Sequence, residues 1–455
     1  MKSIATALVL VGLVPIEVLS SPAPIALGTF LIPFAVLVGG IPAGRYSYCT
    51  IFALLIGGAM AVAHSLYSFS LTPILSFLSF GNPIAAIFVG LTGFAVRSLS
   101  MRVVGSAWIL GLFMSGAMIS NLLNNDLVAR TAVEAVSDRD GYYYAASVAG
   151  SIFGAPMFAS FGVNSFAGIL ISMVFLTLLS ASENDGVRRT ASLFSAVVLL
   201  AYGLMLESRM FFLGVAVFSF MFLIGVGARL FVKFVTIVAM CVGLGVIVYT
   251  DERLAFTFTA LSDGSLTWDS FAALTSNRLD LLTVVPSLAE MLVGSAFGDI
   301  VGPEHESSSF HLYVVTLFAK GGVVFSFPVL YVLLSSVMVK RSMDTRALRG
   351  RIVVRAAIVS FFVQSFVWDV FAVQVFGHVA WFFVGLGLSG MVDGPLVRPD
   401  RSARQKSYSH VGSADGFACR SRARPSDAAF GGVDASNFEG SPDAGRERSH
   451  RRRQL

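Results

Sequence analysis

Five residues between positions 209 and 311 carry chemistry that apolar packing does not need: Arg209, Arg253, Arg278, His305 and His311. Glu207-Ser208-Arg209 fills nearly the whole turn between two apolar runs, which puts Arg209 at a membrane-water boundary. A guanidinium at a helix centre costs about 2.5–3.5 kcal/mol on insertion, so Arg209 is expected to face water, a cavity or an anion. Snorkelling to a lipid headgroup, or pairing with Glu207, is the plainer alternative. The segment from Asp251 to Ser309 holds nine acids against two arginines, which makes Arg253 and Arg278 conspicuous. Arg278 opens an apolar stretch with helical spacing (Leu281, Leu282, Val285, Leu288, Leu292), the pattern of an amphipathic helix lying on a membrane surface. Its plainer alternative is a salt bridge to Asp280 or Glu290. His305 and His311 flank a serine-rich stretch just before the apolar run that begins at Leu312, where an imidazole can donate, accept or exchange a proton. An ordinary capping or interfacial role competes with that one. His305, Glu306 and His311 do not have a metal-ligand spacing, so no metal and no cofactor is expected. His64 and His378 fall inside apolar runs and are read as packing or hydrogen-bonding residues.

The elements that must position these side chains are set by composition. The chain has 455 residues, of which 55% are hydrophobic and 13% charged, with a mean hydropathy of +0.78. That excludes a set of soluble domains, and the alternating pattern of an outer-membrane barrel is absent. A hydrocarbon core of about 30 Å needs about 20 apolar helical residues, and such runs recur throughout. The expected fold is all-α: a polytopic helical membrane bundle of about twelve transmembrane helices with one large periplasmic loop. Spans are predicted near 4–20, 25–43, 48–67, 83–96, 103–122, 162–181, 191–206, 210–228, 234–250, 322–339, 353–369 and 373–392. The chain then divides into N-terminal transmembrane helices (1–250), a large loop with amphipathic helices (251–321), C-terminal transmembrane helices (322–393) and a disordered basic tail (394–455).

Charge sets the orientation. With both termini in the cytoplasm, twelve basic residues fall on the inner connectors: Arg45, Arg97, Arg102, Arg188, Arg189, Arg229, Lys233, Lys340, Arg341, Arg346, Arg349 and Arg351. The outer segments hold Arg130, Arg139, Arg209, Arg253 and Arg278, with Lys320 at a boundary, so the positive-inside rule favours this arrangement. Residues 1–20 read alternatively as a cleaved signal peptide, because Lys2 precedes an apolar stretch and small residues follow. The tail after Pro395 lacks the large apolar residues needed to fold, and its basic end would favour an anionic leaflet. Cys49, Cys241 and Cys419 are too scattered for a disulfide framework. No internal repeat of the secondary-transporter kind is visible.

The order of these features is informative: Ser208-Arg209 on an outer turn, a long outer loop with Arg278, then Gly294-Ser295-Ala296-Phe297-Gly298, then His311, then Gly321-Gly322 before an apolar span. In that order the chain resembles the O-antigen ligase and polymerase superfamily of bacterial inner-membrane glycosyltransferases, which includes polymerases for exopolysaccharide and capsule. The resemblance covers about residues 200–340. Members often carry Asn after the histidine, where this chain has Leu312, so His305 stays open beside His311.

The resemblance implies a metal-independent, inverting glycosyltransferase of the bacterial inner membrane whose donor is an undecaprenyl-diphosphate-linked oligosaccharide. It implies catalytic roles for Arg209, Arg278 and His311, and substrate-binding roles for Ser208, Arg253, His305, Gly294 and Gly298. Planar guanidiniums match phosphate oxygens bidentately and would stabilise the charge of a departing diphosphate. His311, or a loop acid, would orient the acceptor hydroxyl or take its proton. Expected partners are the lipid-linked glycan, the bilayer, and a chain-length regulator and flippase of the same pathway; nucleic acid is not among them. The polymerase is the leading expectation. A ligase that moves finished polymer to the lipid A core is the first alternative, and a multi-pass transporter or lipid-linked glycan flippase is the second. The transporter reading expects paired ionisable residues deep in the bundle, with Glu17, Arg355 and Asp369 as candidates.

Overall fold

A computed structural model of the chain describes residues 1–19, 25–92, 99–124, 151–152, 155–156, 162–206, 208–226, 232, 259, 263–264, 288–298, 300–301, 306–307, 312–338, 348–366 and 368–392. The chain parts at Gly394; everything described belongs to the unit Met1–Gly394, and Pro395–Leu455 lies outside the described residues. The expected tail therefore falls outside them, as do the span near 234–250, Cys241 and Cys419.

The described residues are overwhelmingly helical. Six helices are long and apolar enough to cross a membrane: α3 (Arg45–Ser68), α4 (Thr72–Leu91), α5 (Leu99–Asn124), α6 (Gly162–Glu183), α7 (Gly186–Met205) and α10 (Tyr313–Met338). Shorter apolar helices add to the bundle: α1 (Lys2–Gly12), α2 (Gly28–Gly39), α8 (Arg209–Val226) and α12 (Phe376–Val392), with the more polar α11 (Leu348–Gln364) before the last of them. A six-residue helix, α9 (Leu288–Val293), precedes α10. Three short antiparallel pairs, Glu17–Leu19 with Ile25–Ala26, Ser151–Ile152 with Ala155–Pro156 and Ile300–Val301 with Glu306–Ser307, tie off loops.

Proline explains two differences from the predicted spans. The first predicted span, 4–20, is instead the 11-residue α1 followed by a strand. Pro15 disfavours the α region for the residue before it, so the helix stops early, at about 16 Å against a core of about 30 Å. The predicted span 83–96 begins eleven residues earlier, at Thr72, with Pro73 in its first turn and Pro83 inside the helix. Pro73 serves as a start because the first-turn N–H groups have no partner in the helix. The turn in front of α12 is fixed by Gln374, whose Oε1 accepts from the Ala26 N–H and, at 2.9 Å, from Thr29 Oγ1.

The helices alternate in direction from α1 to α8 and again from α10 to α12, and give the bundle two distinct ends. Close glycine contacts align them: Gly90 of α4 meets Gly385 of α12, Gly214 of α8 meets Gln364 of α11, and Gly225 of α8 meets Ile352. Lys2, Arg45, Arg102, Arg188, Arg189, Arg351 and Arg355 lie on the half of the bundle where α1, α3, α5, α7 and α11 begin. Arg102 donates to Ser3 Oγ there at 3.1 Å, and Gly350 packs on Glu183. The opposite end gathers His64, Ser76, Ser208, Phe297, Tyr313 and Asp369. Lys320 is the one described Lys or Arg side chain on that half.

Candidate functional site

The centre of this second end is an interruption in α10. Gly322 sits at φ 59°, ψ −170°, splitting the helix into Tyr313–Gly321 and Val323–Met338. The break falls at Gly321-Gly322, the last pair of the ordered features. In an unbroken helix the carbonyls of Ala319 and Lys320 would serve the N–H groups of Val323 and Val324. Here they accept from Ser295 N–H (2.7 Å) and Phe297 N–H (2.9 Å) instead. Ser326 Oγ caps the Leu317 carbonyl at 2.9 Å. The motif Gly294-Ser295-Ala296-Phe297-Gly298 is thus a hook seated in the helix break.

Two glycines make the fit. Gly294 has φ +60° and would place a Cβ 2.6 Å from the Ala319 carbonyl oxygen; at Gly322 a Cβ would collide with the Leu292 carbonyl. Gly298 lies against the His64 ring, and His64 Nδ1 is 3.3 Å from the Ala296 carbonyl. His64 is therefore a hydrogen-bonding residue within a span, as expected. Ala296 and Phe297 take φ of 47° and 66°, a left-handed region that costs non-glycine residues about 1–2 kcal/mol each. The Phe297 ring is fully buried, 5.0 Å from Phe325, 5.1 Å from Phe77 and 6.5 Å from Phe80. Three such ring pairs contribute about 0.5–1.5 kcal/mol each, of the same order as the backbone strain they offset.

Below the hook, the first half of α10 turns a polar stripe inward: Tyr313, Thr316 and Lys320, at i, i+3 and i+7. Lys320 was expected at a boundary; it is buried instead, its Nζ donating to Ser76 Oγ at 2.6 Å and lying 5.7 Å from the Phe80 ring centre. Thr316 Oγ1 is 3.0 Å from the Leu312 carbonyl and 3.1 Å from Asp369 Oδ1. Asp369 is itself 6% exposed, in the link between α11 and α12. Tyr313 is fully buried between Phe80 and Phe371, and its hydroxyl has no hydrogen-bond partner among the described residues. Its N–H donates to the Ser365 carbonyl at 3.1 Å, which draws the start of α10 against the end of α11.

Ser208 is 4% exposed just before α8, and Arg209 opens that helix. Gly214 packs on Gln364 and accepts from Ser360 Oγ at 2.8 Å, so the start of α8 stands at the same end as the start of α10. The structure thus gathers Ser208, Arg209, Gly294 and Gly298 at one end. The Arg209 side chain, Glu207, Arg253, Arg278, His305 and His311 lie outside the described residues, as does the proposed amphipathic helix before Leu288. No group of metal-ligating side chains occurs among the described residues. Of the three residues named for a transporter, Arg355 is exposed in the first half of α11 and Asp369 lies beyond that helix's far end; the Glu17 side chain is outside the described residues.

No family model, no curated protein and no solved structure matches the chain.

Sequence reasoning missed Tyr313 and Thr316 as inward-facing polar residues at this end, and named Asp369 only for the transporter reading. Their signal was a polar stripe at helical spacing in an otherwise apolar run, with one buried acid after the next span.

Proposed function

We propose that this protein is a polysaccharide polymerase: a membrane-embedded glycosyltransferase that joins undecaprenyl-diphosphate-linked repeat units at the outer face of a bacterial inner membrane. The observation that carries the reading is the hook. Gly294-Ser295-Ala296-Phe297-Gly298 and Gly321-Gly322, two separate parts of the resemblance, meet as one interlocked unit. Ser208-Arg209, a third part, stands at the same end of the bundle.

In this reading the chain crosses the membrane about twelve times, with both termini and the arginine-rich end in the cytoplasm. The large loop 251–321 is periplasmic. Arg209 and Arg278 neutralise the leaving diphosphate, and His311 or His305 orients the acceptor hydroxyl. Arg253 and Ser208 contact the glycan or its carrier. The segregation of basic residues to one end supports the orientation, and Lys320, the exception, is buried and not solvated. Arg355 and Asp369, toward opposite ends of α11, give the transporter reading no support, and no observation favours a ligase.

The test is polysaccharide size on a gel from a deletion strain complemented with wild type, Arg209→Ala, Arg278→Ala or His311→Ala, with membrane levels matched. Loss of high-mass polymer in all three variants is expected. Wild-type length distributions in the arginine variants would contradict the assignment.

A further inference from the structure

We infer that the link between α11 and α12, residues 365–375, is the acceptor-sugar subsite of the proposed transferase, and that Asp369 is its base. This rests on the glycan-transfer reading and adds to it a residue and a surface that the resemblance does not name. Among the described residues, Asp369 is the buried acid at the end shared by the hook and Ser208, and it is nine-tenths buried. It is set in place, because the link is pinned from three sides. Thr316 reaches Asp369 from α10, Gln374 binds Ala26 and Thr29 near α2, and the Trp381 indole of α12 donates to the Phe371 carbonyl at 3.1 Å. A carboxylate that needs only to be soluble does not require such fixing, whereas a base does, since proton transfer demands hydrogen-bond distance to the reacting hydroxyl.

Two further observations point to a hydroxyl-bearing ligand. The Tyr313 hydroxyl is fully buried with no hydrogen-bond partner among the described residues, within electrostatic reach of Asp369. An orphaned donor beside a carboxylate matches a sugar hydroxyl, which can accept from one and donate to the other. Phe366 is 57% exposed and Trp368 half-buried, so the link that carries the carboxylate also presents aromatic rings. Aromatic rings beside a fixed carboxylate suit a sugar's apolar face and its hydroxyls together.

The step balances as follows. The acceptor hydroxyl gives its proton to the Asp369 carboxylate while its oxygen forms a bond to the donor's anomeric carbon. The bond from that carbon to the diphosphate oxygen breaks, and its electron pair leaves with the diphosphate. The Asp369 carboxylic acid then returns the proton to water.

The experiment uses the purified full chain in detergent micelles, with lipid-linked repeat units extracted from the deletion strain as both donor and acceptor. Asp369→Asn, isosteric with the acid, should lower kcat at least about 100-fold while KM changes less than about threefold and the gel-filtration profile is kept. Asp369→Glu should recover at least a tenth of the lost rate. Trp368→Ala should raise KM with kcat within about twofold. A folded Asp369→Asn within threefold of wild type, or a Glu variant no better than Asn, would overturn the assignment of the base. An unchanged KM in Trp368→Ala would overturn the sugar-stacking surface. Wild-type protein that does not elongate the units would overturn the transferase reading itself, a result distinct from failure of Asp369 alone.

Discussion

Two glycines decide whether the site exists. Gly322 holds φ +59° with its α-carbon against the Leu292 carbonyl, and Gly294 faces the Ala319 carbonyl across the same junction. A methyl group at Gly322 meets both penalties at once: a left-handed conformation costing about 1–2 kcal/mol and a backbone collision that only withdrawal of the hook relieves. Gly322→Ala should therefore lower the melting temperature of the detergent-solubilised protein and abolish polymer formation. Gly105→Ala, in a helical stretch where a Cβ would meet nothing within 4 Å, should do neither. Equal melting temperatures for Gly322→Ala and wild type would show that the junction does not bear on the fold. Both glycines were legible in the sequence as motif members. Their mutual contact was not, because no sequence period links residues 28 apart across a loop.

At the scale of the element, the hook depends on Phe297. Its ring fills the space between Phe77, Phe80 and Phe325 and holds two left-handed residues in place. Phe297→Ala removes that ring from a fully buried position, a change that costs on the order of 3–5 kcal/mol. The expected result is release of the hook: proteolysis between Leu292 and Gly298 in the folded, solubilised protein, with α10 otherwise intact. Continued protection of that segment would mean that the two backbone hydrogen bonds hold it alone. Helices were largely legible from apolar runs of spanning length, and their ends were not. Pro73 and Pro83 are the instructive pair: one begins α4 and the other lies within it, and only packing against α12 separates the two roles. The stripe of Tyr313, Thr316 and Lys320 was hidden for a related reason. Each residue alone reads as an interfacial polar group, and its inward direction follows from the break at Gly322.

For the whole molecule, charge and hydropathy determine more than motifs do. Six described helices suffice to cross a bilayer by length and composition, and the basic side chains described gather at one end apart from Lys320. The bundle form was thus legible from composition alone, since peptide groups in lipid must bond within a helix. The chemistry was legible only as an order of residues, because Arg278 and His311 belong to a loop whose sequence has no period and lie, with the Arg209 side chain, outside the described residues. The central claim is that this bundle extends a glycan on its lipid carrier, and the direct test is mass spectrometry of carrier lipids from the deletion strain. The account predicts accumulation of undecaprenyl diphosphate bearing single repeat units, cleared by wild type and not by Arg209→Ala. Carrier lipids bearing long polymer would contradict it in favour of a ligase, and an unchanged carrier-lipid profile would contradict any role in glycan transfer.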